Sequence, residues 1–113
     1  MLKAKWQDVK AEPVNAEGAK GATIRWLIGK ESGAPNFHMR LFELAPGGQT
    51  PLHTHAWEHE LYILEGSGQM QTEKGSAPFA AGEFIYVAPN EKHQFVNNGS
   101  SVCRFLCLVP AGV

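Results

Sequence analysis

The chain has 113 residues, enough for one domain with its own core and too few for two. Hydrophobic residues make up 43% of it, so the core needs no disulfide support. Ten basic and eleven acidic residues give a net charge of −1, without a basic patch for nucleic acid or a polybasic segment for a membrane. No apolar run approaches 18 residues and no signal-type start is present, so we expect a cytoplasmic protein.

The pattern along the chain is one of many short strands. Residues 1–22, interrupted by Pro13 and Gly18, are predicted to form an extended arm with room for one short strand, ahead of a β-barrel domain at 23–113. The arm packs either on a partner subunit or over the barrel of its own chain. Turns are predicted at 45–48 and, as a hairpin, at Asn98-Gly99. Apolar and alternating runs predict strands at 22–28, 37–44, 49–55, 58–64, 69–73, 83–87, 93–96 and 102–109. This pattern indicates an all-β sandwich or small barrel.

Three histidines, His53, His55 and His59, fall within seven residues, and His93 follows in a later predicted strand. Residues i and i+2 of a strand point to the same face, which places the Cα atoms of His53 and His55 roughly 6.5–7 Å apart. Two imidazoles at that spacing can bind one ion through bonds of about 2.1 Å. His59 has the same parity and can complete the set across a bend at 56–58. Because unpaired buried imidazoles are costly, the pattern indicates a metal site with these four ligands.

The remaining histidine and the two cysteines have simpler interpretations. His38 stands alone and is predicted to be a surface or hydrogen-bonded core residue. Cys103 and Cys107 share a face if they lie on one strand, with Cα atoms about 13 Å apart. A disulfide needs Cα atoms within about 7 Å, so both are predicted to be reduced thiols. Each packs as a small buried hydrophobe, or one of them lines the metal pocket.

The spacing of glycines and histidines resembles the first motif of the cupin superfamily. That motif is a glycine, five residues, His-x-His, three or four residues, a glutamate, six residues and a glycine. The chain fills these positions, with a histidine replacing the glutamate, at Gly47, His53, His55, His59 and Gly66. The four-residue alternative selects Glu60 as the ligand. Strand parity and the distance to Gly66 favour His59.

The second cupin motif is a glycine, five residues, Pro-x-Gly, two residues, a histidine, three residues and an asparagine. Gly82, His93 and Asn97 match it, whereas Ala88 and Asn90 replace its proline and loop glycine. The two motifs span residues 47–97, close to half of the chain. The sequence looks most like small stand-alone bacterial or archaeal cupins with a four-histidine manganese site, a likeness strengthened by residues 35–37, 39–42, 57–60 and 105–108.

The resemblance implies a single-domain double-stranded β-helix, the cupin or jelly-roll barrel, and, together with the extended arm, a homodimer. It implies one divalent metal ion per chain, with Mn²⁺ preferred, Fe²⁺ next, and Zn²⁺, Ni²⁺ or Cu²⁺ as loaded metals. Four histidines on a barrel wall leave two adjacent positions open, which favours a dioxygenase-type oxygenase that activates O₂ beside a chelating, small-molecule substrate. The alternatives are a non-catalytic small-molecule or anion-binding sensor, a metal-dependent isomerase, and a storage-like protein without a ligand.

Other residues near the site have open assignments. Arg40 either turns inward as an anchor for a substrate carboxylate or is a surface arginine of a strand. The partners of the metal-binding imidazoles are sought among the nearest polar side chains in sequence, Glu58, Glu60 and Gln94. The predicted pocket wall or core comprises Trp57, Tyr62, Phe95, Phe105 and Cys107.

Overall fold

The structure is a computed structural model that describes residues 1–113. It contains nine strands and two single-turn 3-10 helices, Trp6–Asp8 and Lys30–Ser32, which confirms the all-β jelly-roll prediction. None of its helices has the length and apolar character needed to cross a membrane. The strands are β1 (Glu12–Pro13), β2 (Lys20–Ile28), β3 (Phe37–Gln49), β4 (His59–Glu65), β5 (Ser67–Thr72), β6 (Gly75–Ala80), β7 (Phe84–Val87), β8 (His93–Val96) and β9 (Cys103–Pro110).

The strands form one curled antiparallel sheet in the order β6-β5-β8-β3-β9-β4-β7, with β2 paired to β3 and β1 to β2. Strand β3 is the central element. Residues 37–44 of β3 pair with β9, whereas Gln49 at its end pairs with Val96 of β8. One long strand therefore joins the two parts of the sheet, and its inward side chains, Arg40 and Phe42, face the interior.

The predicted turn at 45–48 is wrong, because these residues lie inside β3. Leu44 pairs with Ala22 and Gln49 with Lys20, so four residues of β3 bulge opposite Gly21 alone. A Cβ at Gly48 would lie 2.8 Å from the carbonyl oxygen of Gly21, which restricts this close approach to glycine. The glycine-rich segment thus makes a bulge and does not reverse the chain.

Two further differences concern strands. The strand predicted at 49–55 does not form, since β3 ends at Gln49 and His53 makes only an isolated bridge to His93. Strand β6, in contrast, was not anticipated because Pro78 interrupts its pattern. Proline lacks a backbone N–H, but β6 is the end strand of the sheet and tolerates that loss.

Asn98-Gly99 does not form the predicted hairpin, because β8 and β9 do not pair with each other: β8 pairs with β5 and the end of β3, and β9 pairs with β4 and the first part of β3. The fully buried Asn97 holds the connection between β8 and β9 in place. Its Nδ2 donates to the carbonyl oxygens of Leu44 and Ser101, at 2.9 and 2.8 Å, and its Oδ1 accepts from the backbone N–H of Gly99. One side chain therefore joins the β8–β9 connection to β3.

The N-terminal arm lies over the barrel of its own chain. Strand β1 pairs with β2, which itself begins at Lys20, within the range assigned to the arm. The Trp6 ring packs against the guanidinium groups of Arg25 and Arg104, each 5.1 Å from the ring centroid, and both arginines bond to Glu43. Burial raises the pKa of Glu43, but the two arginines outweigh it, so the pKa is lowered.

The core fills the inner face of the curled sheet. Alternation along β4 turns His59, Leu61 and Ile63 inward. Tyr62 points outward and is 46% exposed, so its predicted place in the pocket wall or core is wrong. The two cysteines are free and buried, as predicted. The core consists of Ala22, Leu44, Leu61, Ile63, Phe79, Val87, Phe95, Cys103, Phe105, Cys107 and Val109.

Candidate metal centre

Three of the histidines converge at the inner face of the barrel. Backbone hydrogen bonds run both ways between His53 and His93, with N–O distances of 3.2 and 3.1 Å, and hold the two Cα positions together. His55 follows in the connection between β3 and β4. One ring nitrogen from each of His53, His55 and His93 lies within 4.8 Å of those of the other two. This group has the ligand type and spacing that a divalent metal ion requires.

His59, at the start of β4, lies beside this group. Its Nε2 is 3.2 Å from the Nε2 of His93. Two nitrogens bound at about 2.1 Å in adjacent positions around one ion lie about 3.0–3.4 Å apart, so this separation fits a shared ion. The ring centroids of His55 and His93 are each 4.5–5.1 Å from the centroids of the other three clustered histidines. Glu60, the alternative ligand, points outward and is exposed.

Hydrogen bonds to the main chain set the tautomers of two rings. His55 Nδ1 lies 2.9 Å from the carbonyl oxygen of Trp57, and His93 Nδ1 lies 2.7 Å from that of Glu91. A carbonyl oxygen only accepts, so each Nδ1 carries the proton and each Nε2 keeps its lone pair. Those lone pairs are the ones that a metal ion needs.

The acidic and amide side chains near the histidines in sequence do not contact the rings. Glu58 accepts a hydrogen bond from the hydroxyl of Tyr86, and Gln94 donates to the carbonyl oxygen of Thr50. The partners are instead the two carbonyl groups and, for His59, the sulfur of Cys107. Sequence distance cannot identify such partners, because loop geometry and cross-strand register decide them.

The environment of His53, His59 and His93 favours their neutral form. Burial is the largest cause and lowers the pKa values of His53, His59 and His93, although a backbone hydrogen bond opposes part of the effect at His93. The pKa of His59 falls to about 3, because the neighbouring imidazoles and Arg40 add to the effect of burial. Neutral imidazole is the form that binds metals, so these three rings are available as ligands at pH 7.

The histidines open onto a cavity of about 250 Å³. Its wall contains no Asp, Glu, Lys or Tyr side chain. The ring of Trp57 stacks on that of His55 with centroids 4.4 Å apart. The lining residues are Val14, Ala16, Ile24, Arg40, Phe42, Thr50, Pro51, His53, His55, Trp57, His59, Leu61, His93, Phe95, Phe105 and Cys107.

Arg40 points inward from β3 and belongs to the cavity wall. Its Nη2 donates to the sulfur of Cys107 at 2.9 Å, and its guanidinium lies over the rings of Phe42 and Trp26, at 5.0 and 5.6 Å. Its Nε is buried without an acceptor. An arginine with one N–H unpaired beside an apolar cavity is a candidate contact for an anionic ligand.

The sequence did not indicate that Val14 and Ala16 of the N-terminal arm form part of this wall, because the arm has weak periodicity. His38 is buried away from the cluster, with its Nε2 3.3 Å from the carbonyl oxygen of Ala34, as expected for a hydrogen-bonded core residue. It borders a larger groove of about 850 Å³ that contains none of the four clustered histidines.

Comparisons with known proteins agree with this architecture. The chain is 42% identical to the polyketide cyclase RemF of Streptomyces resistomycificus, with a TM-score of 0.93 over 97% of this chain and 79% of that one. It is 25% identical to a predicted oxalate decarboxylase of Thermotoga maritima, with a TM-score of 0.86 over 96% of this chain and 98% of that one.

The chain is also 30% identical, over 73 residues, to the 1-methylthio-D-xylulose 5-phosphate methylsulfurylase of Rhodospirillum rubrum. That match covers 65% of this chain and 47% of the relative, so the chain spans about half the length of this curated protein. The family model of the cupin domain matches residues 40–109. The chain therefore belongs to the cupin domain family.

Proposed function

We propose that the chain is a metal-dependent enzyme that binds an enolisable, polyketide-like substrate and promotes its ring closure. In this proposal, His53, His55, His59 and His93 hold one divalent ion. The proposal rests on one observation, the convergence of imidazole rings on the wall of a largely apolar cavity. The 42% identity with a polyketide cyclase over nearly the whole chain supports the reaction class.

The ligand set contains no carboxylate, so it contributes no negative charge. Such a set favours the divalent over the trivalent state and leaves the full charge of the ion to attract anionic oxygen ligands. A divalent ion bound there would supply Lewis acidity to carbonyl and enolate oxygens. We propose Mn²⁺ as the preferred ion and Fe²⁺ as the next, on the resemblance to four-histidine cupins.

The remaining residues of the cavity bind and orient the substrate. Phe42, Phe95 and Phe105 form an apolar wall that holds a flat unsaturated chain and excludes water. Arg40 is the cation of the wall and is proposed to anchor a carboxylate or enolate of the substrate. A carbon between two carbonyl groups loses its proton readily, so this substrate class suits a wall without a carboxylate or tyrosine base.

A dioxygenase is the second candidate. The same absence of Asp, Glu, Lys and Tyr from the wall favours chemistry in which substrate and O₂ bind side by side over chemistry that needs a side-chain proton shuttle. A metal-dependent isomerase would share the enolisation step. A non-catalytic protein that binds a small anion would need the same ligands but would release its ligand unchanged.

The first experiment measures metal content. Protein purified without chelator is analysed for bound metals in wild type, His59→Ala, Glu60→Ala and His38→Ala. About one ion per chain in wild type and His38→Ala, with less in His59→Ala, supports the four-histidine assignment. Full occupancy in His59→Ala together with loss in Glu60→Ala contradicts it.

The second experiment tests the reaction on the metal-loaded protein with a linear poly-β-ketone, under argon and in air. Ring closure without O₂ uptake supports the cyclase. O₂ consumption coupled to product formation supports the dioxygenase, and saturable binding without product supports the non-catalytic role.

Homodimer formation remains a prediction. In analytical ultracentrifugation, sedimentation at twice the mass of the chain is the expected result.

A further inference from the structure

A buried thiol lies between Arg40 and His59. The sulfur of Cys107 is 2.9 Å from Nη2 of Arg40 and 3.1 Å from Nδ1 of His59, and the residue is 1% exposed. Register explains the placement, because Cys107 of β9 pairs with Arg40 of β3 on one side and with Leu61 of β4 on the other. The thiol therefore reaches the ring of His59 from the middle of the sheet.

The role of Arg40 follows from its chemistry, whereas the Cys107 thiol can either donate its S–H to Nδ1 of His59 or accept the Nδ1–H of this ring. Arginine only donates, so the sulfur accepts from Arg40. His93 donates from Nδ1 to the carbonyl oxygen of Glu91, which leaves a lone pair on its Nε2, 3.2 Å from Nε2 of His59. If His59 carries its proton on Nε2, that proton points at His93 and blocks metal binding. If it carries the proton on Nδ1, the ring donates to the sulfur and its Nε2 is free.

We propose that Cys107, held in place by Arg40, is a positioning residue that accepts the Nδ1–H of His59 and keeps Nε2 of this ring free for the metal ion. The inference rests on the proposed metal site. His55 and His93 obtain the same orientation from carbonyl oxygens of Trp57 and Glu91, which lie outside the strands. His59 lies in β4, whose carbonyl groups serve its pairing with β7 and β9, so a side chain takes this role.

The chain contains a matched control for this residue. Cys103 lies on the same strand and the same face as Cys107, is 0% exposed, and belongs to the same core cluster. Its sulfur makes no hydrogen bond to a histidine. Removing either sulfur leaves a cavity of similar size, so a difference between the two variants reports the contacts of Cys107 with His59 and Arg40 and not the loss of packing.

The test compares wild type, Cys107→Ala, Cys107→Ser and Cys103→Ala by zinc affinity, measured with Zn²⁺ alone in competition with a chromophoric chelator. Loss of a partner that orients a metal ligand costs about 10–100-fold in affinity. We therefore expect Cys107→Ala to bind zinc at least tenfold more weakly than wild type and Cys103→Ala to stay within about twofold. Cys107→Ser should recover part of the loss, because its hydroxyl also accepts a hydrogen bond.

A second readout follows the ring itself. The ¹⁵N chemical shifts of the His59 nitrogens, in protein labelled at histidine, report its tautomer with and without zinc. In the metal-free protein those shifts should change in Cys107→Ala and stay the same in Cys103→Ala, because a zinc ion on Nε2 would itself fix the proton on Nδ1. Equal zinc affinities in the two alanine variants, or unchanged His59 shifts in Cys107→Ala, would overturn the inference. If wild type takes up no zinc, the proposed metal site fails, and the shifts of the metal-free protein alone decide the role of Cys107.

Discussion

The Nε2 atoms of His59 and His93 lie 3.2 Å apart, although 34 positions separate the two residues in sequence and their strands, β4 and β8, do not pair with each other. An ion shared by these nitrogens would join two strands that the backbone ladder leaves unconnected. Metal binding should therefore stabilise the fold as well as complete the site, since an ion that binds only the folded state shifts the unfolding equilibrium.

We expect the melting temperature to rise when a divalent ion is added to chelator-treated protein. At a free metal concentration a hundred times Kd, binding raises the free energy of unfolding by about 2.7 kcal/mol. This corresponds to about 10 °C for a domain of this size. Differential scanning calorimetry measures the change. His93→Ala should show little or none of it, whereas His38→Ala, outside the cluster, should behave as wild type.

The metal-free protein should lose stability as the pH falls below 6.5. The pKa values of His53, His59 and His93 are lower in the folded state than in the unfolded chain, where they are about 6.5. Between pH 6.5 and the lower pKa of the folded state, the unfolded state therefore binds more protons than the folded state. For His59 the pKa in the folded state is about 3. Each such histidine removes up to about 1.4 kcal/mol of stability per pH unit in its window.

Urea unfolding of chelator-treated protein at pH 7.5, 6.0 and 5.0 measures this slope. His59→Gln should flatten the pH dependence, because glutamine does not titrate. An unchanged slope in that variant would show that His59 is not held neutral by the fold.

Asn97 should be the most sensitive polar residue of the core. Asn97→Ala leaves the carbonyl groups of Leu44 and Ser101 and the N–H of Gly99 without their partner. Buried groups that lose their partners cost about 1–3 kcal/mol. We expect the free energy of unfolding to fall by about 2–4 kcal/mol in urea titrations. The exposed neighbour provides the control, since Asn98→Ala should change it by less than about 0.5 kcal/mol.

Two glycines of the cupin motifs should respond differently to alanine. Gly66 and Gly82 both have positive φ, 80° and 89°, so each substitution costs about 1 kcal/mol of backbone strain. A Cβ on Gly82 meets no atom within 4 Å, but a Cβ on Gly66 would lie 2.7 Å from the carbonyl oxygen of Val102. Gly66→Ala should therefore lower stability by clearly more than Gly82→Ala, as measured by urea unfolding. Equal losses would mean that the backbone at Val102 moves aside at low cost.

The sequence was informative wherever a period of two or a motif spacing governs the structure. Alternation predicted the inward face of β4, with His59 buried and Glu60 exposed. It failed where tertiary pairing overrides local chemistry. The glycine-rich segment 45–48 has the composition of a turn, yet it continues as a bulged strand because β2 pairs with it on both sides of the bulge. Asn98-Gly99 likewise lacks a hairpin because β8 and β9 have other partners.

The side-chain contacts around the candidate site were harder to predict than the grouping of its histidines. Parity can place His53 and His55 on one face, but it cannot show that Cys107 reaches His59, since that contact depends on the register of β9 against β4. The same holds for the arm, where Val14 reaches the cavity only because a two-residue strand pairs with β2. Side-chain contacts between distant segments follow from register, which a single sequence does not specify.

The reciprocal backbone bridge between His53 and His93 has a consequence for substitutions at these two positions. The bridge uses only main-chain atoms, so it fixes the positions from which both side chains project, whatever those side chains are. A point mutation at either position can exchange imidazole for another donor while leaving the scaffold in register. Single substitutions at these two positions would therefore change the donor atoms of the proposed metal site while the strands keep their register.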